Sequence, residues 1–120
     1  MPTLPAMKTV SWSTTVMLTI GVVIAVYIGV CAFVSHTRNK AFNLVQVGDT
    51  ASAVIALFGT EPSMREKQGI LFARYATKPC SSPCVERLWF ENRLSLVGEA
   101  WSIEIDQSGR VIDTSRWVSP

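Results

Sequence analysis

Two regimes of hydrophobic patterning divide this chain. From Thr9 to Ser35 no residue is charged, and the run Thr14–Val34 (TTVMLTIGVVIAVYIGVCAFV) is apolar almost throughout. As a helix, about 21 residues at roughly 1.5 Å each reach about 30 Å, the thickness of a bilayer's hydrocarbon. The pattern predicts a transmembrane helix over 14–34. A short tail (1–13) precedes it, and a polar, basic juxtamembrane linker (35–44) follows it.

Beyond the linker the period changes. Val47-Gly48-Asp49-Thr50 opens a short helix, with Asp49 or Thr50 able to cap the free N–H groups of its first turn. Ala53, Val54, Leu57 and Phe58 are spaced for one buried face. Gly59 stands where a left-handed C-terminal cap is needed, and Pro62 prevents the helix resuming. Ile70–Thr77 is apolar and β-prone, and Val85–Phe90 alternates weakly. Asn92–Gly98 reads as a connector. Trp101, Ile103 and Ile105 then alternate with Ser102, Glu104 and Asp106 as in a half-buried strand. Asp106-Gln107-Ser108-Gly109 is a hairpin turn, and Arg110–Trp117 returns as a final strand. The expected fold class is α+β: one N-terminal transmembrane helix, then a small domain (45–120) of one or two helices packed on an antiparallel sheet of three to four strands.

Composition refines this only slightly. The 48% hydrophobic content is raised by the apolar run, in which 16 of 21 residues are hydrophobic. All 9 acidic residues and every Lys or Arg except Lys8 lie beyond residue 34, so the soluble part is close to neutral. That excludes the basic face of a nucleic-acid binder and any strong field for steering a charged substrate. About 80 residues remain for the domain, enough for one limited core.

Charge next to the apolar run bears on orientation. Lys8 and the terminal amine precede it; His36, Arg38 and Lys40 follow it. The positive-inside rule is nearly balanced and slightly favours a cytoplasmic domain. A short tail before one apolar run is nevertheless the form of an uncleaved signal anchor with its N-terminus inside, and a Cys80/Cys84 pair fits export. The run exceeds the core of a cleaved signal, although Val30-Cys31-Ala32 leaves a small-residue cleavage site open. Ile28-Gly29-Val30-Cys31 vaguely resembles a lipoprotein acylation box. Phe33-Val34 continue the apolar run after it, and Cys31 reads as a small apolar residue of the anchor. Gly21, Ala25 and Gly29 recur every four residues, a small-residue face suited to another helix.

The chemistry-bearing residues are few. Cys80 and Cys84 bracket Ser81-Ser82-Pro83, and in an oxidising compartment they can close a small disulfide loop. A redox pair ordinarily has two intervening residues in front of a helix; three intervene here and a strand is expected to follow. These two thiols are too few ligands for a metal site, and the single histidine, His36, lies beside the membrane. Glu86, Glu91, Glu99, Glu104 and Asp106 are scattered as on a solvated strand face. Trp89, Trp101 and Trp117 are expected in the core, with Trp117 the first candidate for anchoring a partner. No Gly-rich phosphate loop and no cofactor motif is present, and no enzyme is expected.

Gly48-Asp49-Thr50-(x)3-Val54-(x)2-Leu57-(x)-Gly59-(x)2-Pro62 resembles the opening motif of the small outer-membrane assembly lipoproteins (BamE, also called SmpA/OmlA). Trp101-Ser102-Ile103-Glu104-Ile105-Asp106, followed by Gly109-Arg110-Val111, is similar to that family's closing hairpin. The resemblance covers roughly residues 45–116. It implies a compact sheet with helices on one side and a binding or scaffolding role in a bacterial envelope. The family is anchored by a lipid on a signal cysteine, whereas this chain carries an apolar helix, and the family has no counterpart of the Cys80/Cys84 loop. Only the fold and the binding role are therefore carried over. The expectation is a single-pass protein of the bacterial inner membrane with a periplasmic, non-catalytic interaction domain, contacting membrane lipid and another envelope protein. The alternatives are an accessory subunit of a large membrane complex and a tethered thiol-redox protein using Cys80 and Cys84.

Overall fold

A computed structural model describes residues 11–69 and 79–118 of the chain. They form helix α1 (Trp12–Leu44), helix α2 (Ala51–Phe58) and strands β1 (Met64–Lys67), β2 (Glu86–Asn92), β3 (Glu99–Ile105) and β4 (Val111–Val118). The β-prone segment Ile70–Thr77 lies outside the described residues. The chain divides into two compact units, Met1–Val30 and Cys31–Pro120.

In the first unit, Ser11 opens α1. Its hydroxyl accepts from the Thr14 amide at 3.3 Å, satisfying one of the unpaired donors of the first turn. No residue of the helix between Trp12 and Val30 is buried. It is long and apolar enough to cross a membrane, the one such helix among the described residues.

The second unit is the α+β domain. Its sheet is an antiparallel meander in the order β1-β2-β3-β4. Leu88 faces Ile103 and Phe90 faces Trp101 across β2 and β3, and with Ile105 and Val111 they form the helix-side face. Ala41, Val54 and Phe58 close this core, and Phe42, Val45, Ala51 and Ile55 pack around it. The Phe58 and Phe90 rings stack with centroids 3.9 Å apart and an interplanar angle of 7°.

Three features depart from the pattern read along the sequence. First, the expected linker 35–44 is helical and continues α1. Val34, Arg38, Ala41, Phe42 and Val45 share helical spacing, no Gly or Pro interrupts them, and burying Ala41 repays the continuation. Second, α2 buries Val54 and Phe58 but leaves Ala53 and Leu57 exposed, because eight residues present only a narrow stripe to the sheet. Third, Met64–Lys67 is a strand that the sequence did not announce. The caps follow expectation: the Thr50 hydroxyl accepts from the Ala53 amide at 3.2 Å, and Gly59 ends α2 at φ 70°.

Candidate functional site

Two regions of the domain concentrate polar side chains. The first is the sheet face away from the helices. Met64, Glu66, Arg87, Trp89, Ala100, Ser102, Glu104 and Trp117 belong to it by register. Arg87 is buried there between two carboxylates, 2.9 Å from Glu66 and 2.9 Å from Glu104. Its guanidinium also lies 5.7 Å from the centre of the Trp89 ring. Trp117, the expected partner anchor, is half-buried in this layer. Its indole N–H donates to the Ser102 hydroxyl at 2.8 Å, and its ring centre is 6.0 Å from that of Trp89. Ser102, two residues before Glu104 on β3, supplies the acceptor, and part of the ring stays open to solvent.

Cys80 and Cys84 are joined, with sulfurs 2.07 Å apart, and both residues are buried. The pair clips the described chain just before β2. In this state neither sulfur is a thiolate.

The second region lies where α1 meets the end of β2. Asn92, the last residue of β2, is buried and donates from Nδ2 to the Cys31 carbonyl at 3.2 Å. Its Oδ1 accepts from the Leu94 amide at 3.2 Å, so a single amide ties the helix to the following turn. Beside it is a cavity of about 350 Å³ lined by Val34, Arg38, Thr60, Phe90, Asn92 and Leu94 among others. Arg38 makes no ion pair among the described residues, and its Nε is buried without a hydrogen-bond partner. Partial burial draws its guanidinium below the ordinary arginine value. Neither Asn92 nor Arg38 stood out in the sequence as a site residue. The helical spacing of Val34, Arg38, Ala41 and Phe42 was the available signal for Arg38; for Asn92 there was none.

The remaining candidates are dispersed. Gly21, Ala25 and Gly29 lie on the exposed helix of the first unit, and a Cβ at Gly21 or Gly29 would meet nothing within 4 Å. Cys31 is a free, half-buried cysteine, and His36 is exposed on α1. Among the described residues no group of three or more His, Cys, Asp or Glu side chains is placed to hold a metal. Fold and site together define a small disulfide-clipped α+β domain on a helix able to span a membrane. Comparison with protein-family models, curated proteins and solved structures finds no match.

Proposed function

We propose that the chain is a single-pass protein of a bacterial inner membrane whose domain, on the periplasmic side, binds or braces another envelope protein without catalysing a reaction. The observation that carries this reading is the sharing of α1. Its apolar stretch suits lipid, while Ala41 of the same helix belongs to the domain's core and Phe42 packs against that core. Such a domain is built around its own anchor, which suits a protein acting at the membrane surface.

Two further observations agree with it. The Cys80–Cys84 bond fits an oxidising compartment, and burial of both residues suits a structural clip better than thiol exchange. The charged groups of the far sheet face are engaged with one another, as in a layer that holds strands in place. The likeness of residues 48–62 and 101–111 to the outer-membrane assembly lipoproteins points to the same binding role. A topology reporter fused after Pro120 tests the placement: activity confined to the periplasm supports it, and activity confined to the cytoplasm refutes it. Photo-crosslinkers at Gly21, Ala25, Gly29 and Trp117 test the scaffold role. A bracing protein gives one defined adduct from at least one of these positions, whereas a domain that holds no neighbour gives none.

A further inference from the structure

We infer that the β2–β3 loop, residues 93–98, inserts into the lipid interface, so that the domain grips the bilayer with its own surface as well as through α1. The inference rests on reading α1 as a membrane span.

Depth is fixed within the domain itself. Cys31 belongs to the α+β unit and also to the uncharged run, four residues before that run ends at Ser35. At about 1.5 Å per residue it lies roughly 6 Å deeper than Ser35 along the helix. The Asn92 side chain bonds the Cys31 carbonyl, which sets the end of β2 at that depth. At the opposite end of the sheet the chain leaving α1 meets the start of β4, where the Gly48 amide donates to the Val111 carbonyl at 2.8 Å. The segment from Cys31 to Leu44 therefore runs along the sheet with its deeper end beside Asn92. Chain that continues past Asn92 heads toward lipid.

The loop there is Arg93-Leu94-Ser95-Leu96-Val97-Gly98. Leu96 is 93% exposed, and Leu94 and Val97 are exposed as well. Three apolar side chains on one tip suit hydrocarbon or a partner, not water. Phe33, on α1 and near the same depth, is also exposed. Arg93 begins the loop, and Arg116 pairs with Glu99 at the loop's other end. The turn at the far end of the sheet, Asp106-Gln107-Ser108-Gly109, carries no apolar side chain. The position of Asn92 against Cys31 decides for lipid over a protein partner.

The test uses the full chain, with Cys31→Ala, in vesicles of phosphatidylethanolamine and phosphatidylglycerol. A nitroxide is attached in turn at Leu96→Cys, Gln107→Cys and Val22→Cys, without reductant, so that the Cys80–Cys84 bond stays closed. Collisions with oxygen and with a water-soluble nickel chelate report immersion. Position 96 is expected to favour oxygen, as position 22 does, while position 107 favours nickel. If position 96 behaves like 107 while 22 remains in lipid, loop insertion is wrong and the anchor stands. If position 22 also behaves like 107, the anchor reading fails and the inference fails with it.

Discussion

Replacing Phe58 by Ala asks whether α2 is locked to the sheet by one stripe of its surface. Phe58 is the last residue of α2, 6% exposed, and stacked on Phe90 at 3.9 Å. Truncating a buried Phe to Ala costs about 3–5 kcal/mol, the lost ring contact included. Phe58 lies at the rim of the core, at a helix end that can settle into the vacated space, so about 3 kcal/mol is expected here. Leu57, its neighbour, is 39% exposed and outside the core cluster. Leu57→Ala is expected to cost about 0.5 kcal/mol, as at other surface positions. The assay is urea unfolding of the full chain in detergent, read by tryptophan fluorescence; Trp89, Trp101 and Trp117 all belong to the domain. With a slope on the order of 1–2 kcal/mol per molar for so small a unit, Phe58→Ala moves the midpoint down by roughly 2 M. Leu57→Ala barely moves it. Equal costs for the two variants, or a larger one for Leu57→Ala, would refute the packing of α2.

Three further outcomes follow from the same geometry. The Cys80–Cys84 bond spans a sequence separation of 4, for which the chain-entropy relation gives about 2 kcal/mol; Cys80→Ala/Cys84→Ala should lower unfolding stability by that much, and reductant should then have no further effect. Arg87→Met takes the 2.9 Å partner from the fully buried Glu66 and should cost about 3–5 kcal/mol in the same assay, part of it recovered by adding Glu66→Met, since Glu104 is open enough to return to water. The Asp106 carboxylate is held below the ordinary value, first by the Ser108 hydroxyl at 2.6 Å and then by the Arg110 amide. A depressed pKa in the folded state stabilises the fold above the unfolded value, about 3.9, and this contribution fades as pH falls through the folded value. Asp106→Asn should therefore flatten the pH dependence of the urea midpoint below about pH 5.

Elements marked by local chemistry were legible in the sequence; those held by distant contacts were not. The apolar helix follows from its length and lack of charge, and α2 from Thr50 and Gly59, whose side chain and backbone freedom act within a few residues. The β3–β4 hairpin follows from alternation at Trp101, Ile103 and Ile105 and from the Asp106–Gly109 turn, where the Gly109 amide donates to the Asp106 carbonyl at 3.0 Å. The polar letters of residues 35–44 concealed a helix, because its stripe of Val34, Ala41 and Phe42 is thin and its other faces remain in solvent. Only the β3–β4 register brings Trp117 beside Ser102 and Trp89, a neighbourhood the sequence does not mark. The contact of Asn92 with Cys31 joins residues 61 positions apart and leaves no local trace.

Strand β1 shows why some structure escapes periodicity altogether. Met64-Arg65-Glu66-Lys67 has no apolar alternation, yet it pairs along β2 with Glu66 opposite Arg87 and Lys67 opposite Glu86. Arg65 and Lys67 both reach Glu86, at 3.6 and 3.3 Å. A slip of one residue either way would set Arg65 or Lys67 against Arg87, placing like charges directly opposite each other, and would turn Glu66 to the other face. The buried pair adds little net stability on its own account, since desolvation offsets most of its attraction. Its effect is on alternatives: every shifted register leaves Glu66 or Arg87 buried against the wrong neighbour. An edge strand of four mostly charged residues is thereby fixed in place by partners contributed from β2, which explains why the segment carries no strand signal of its own.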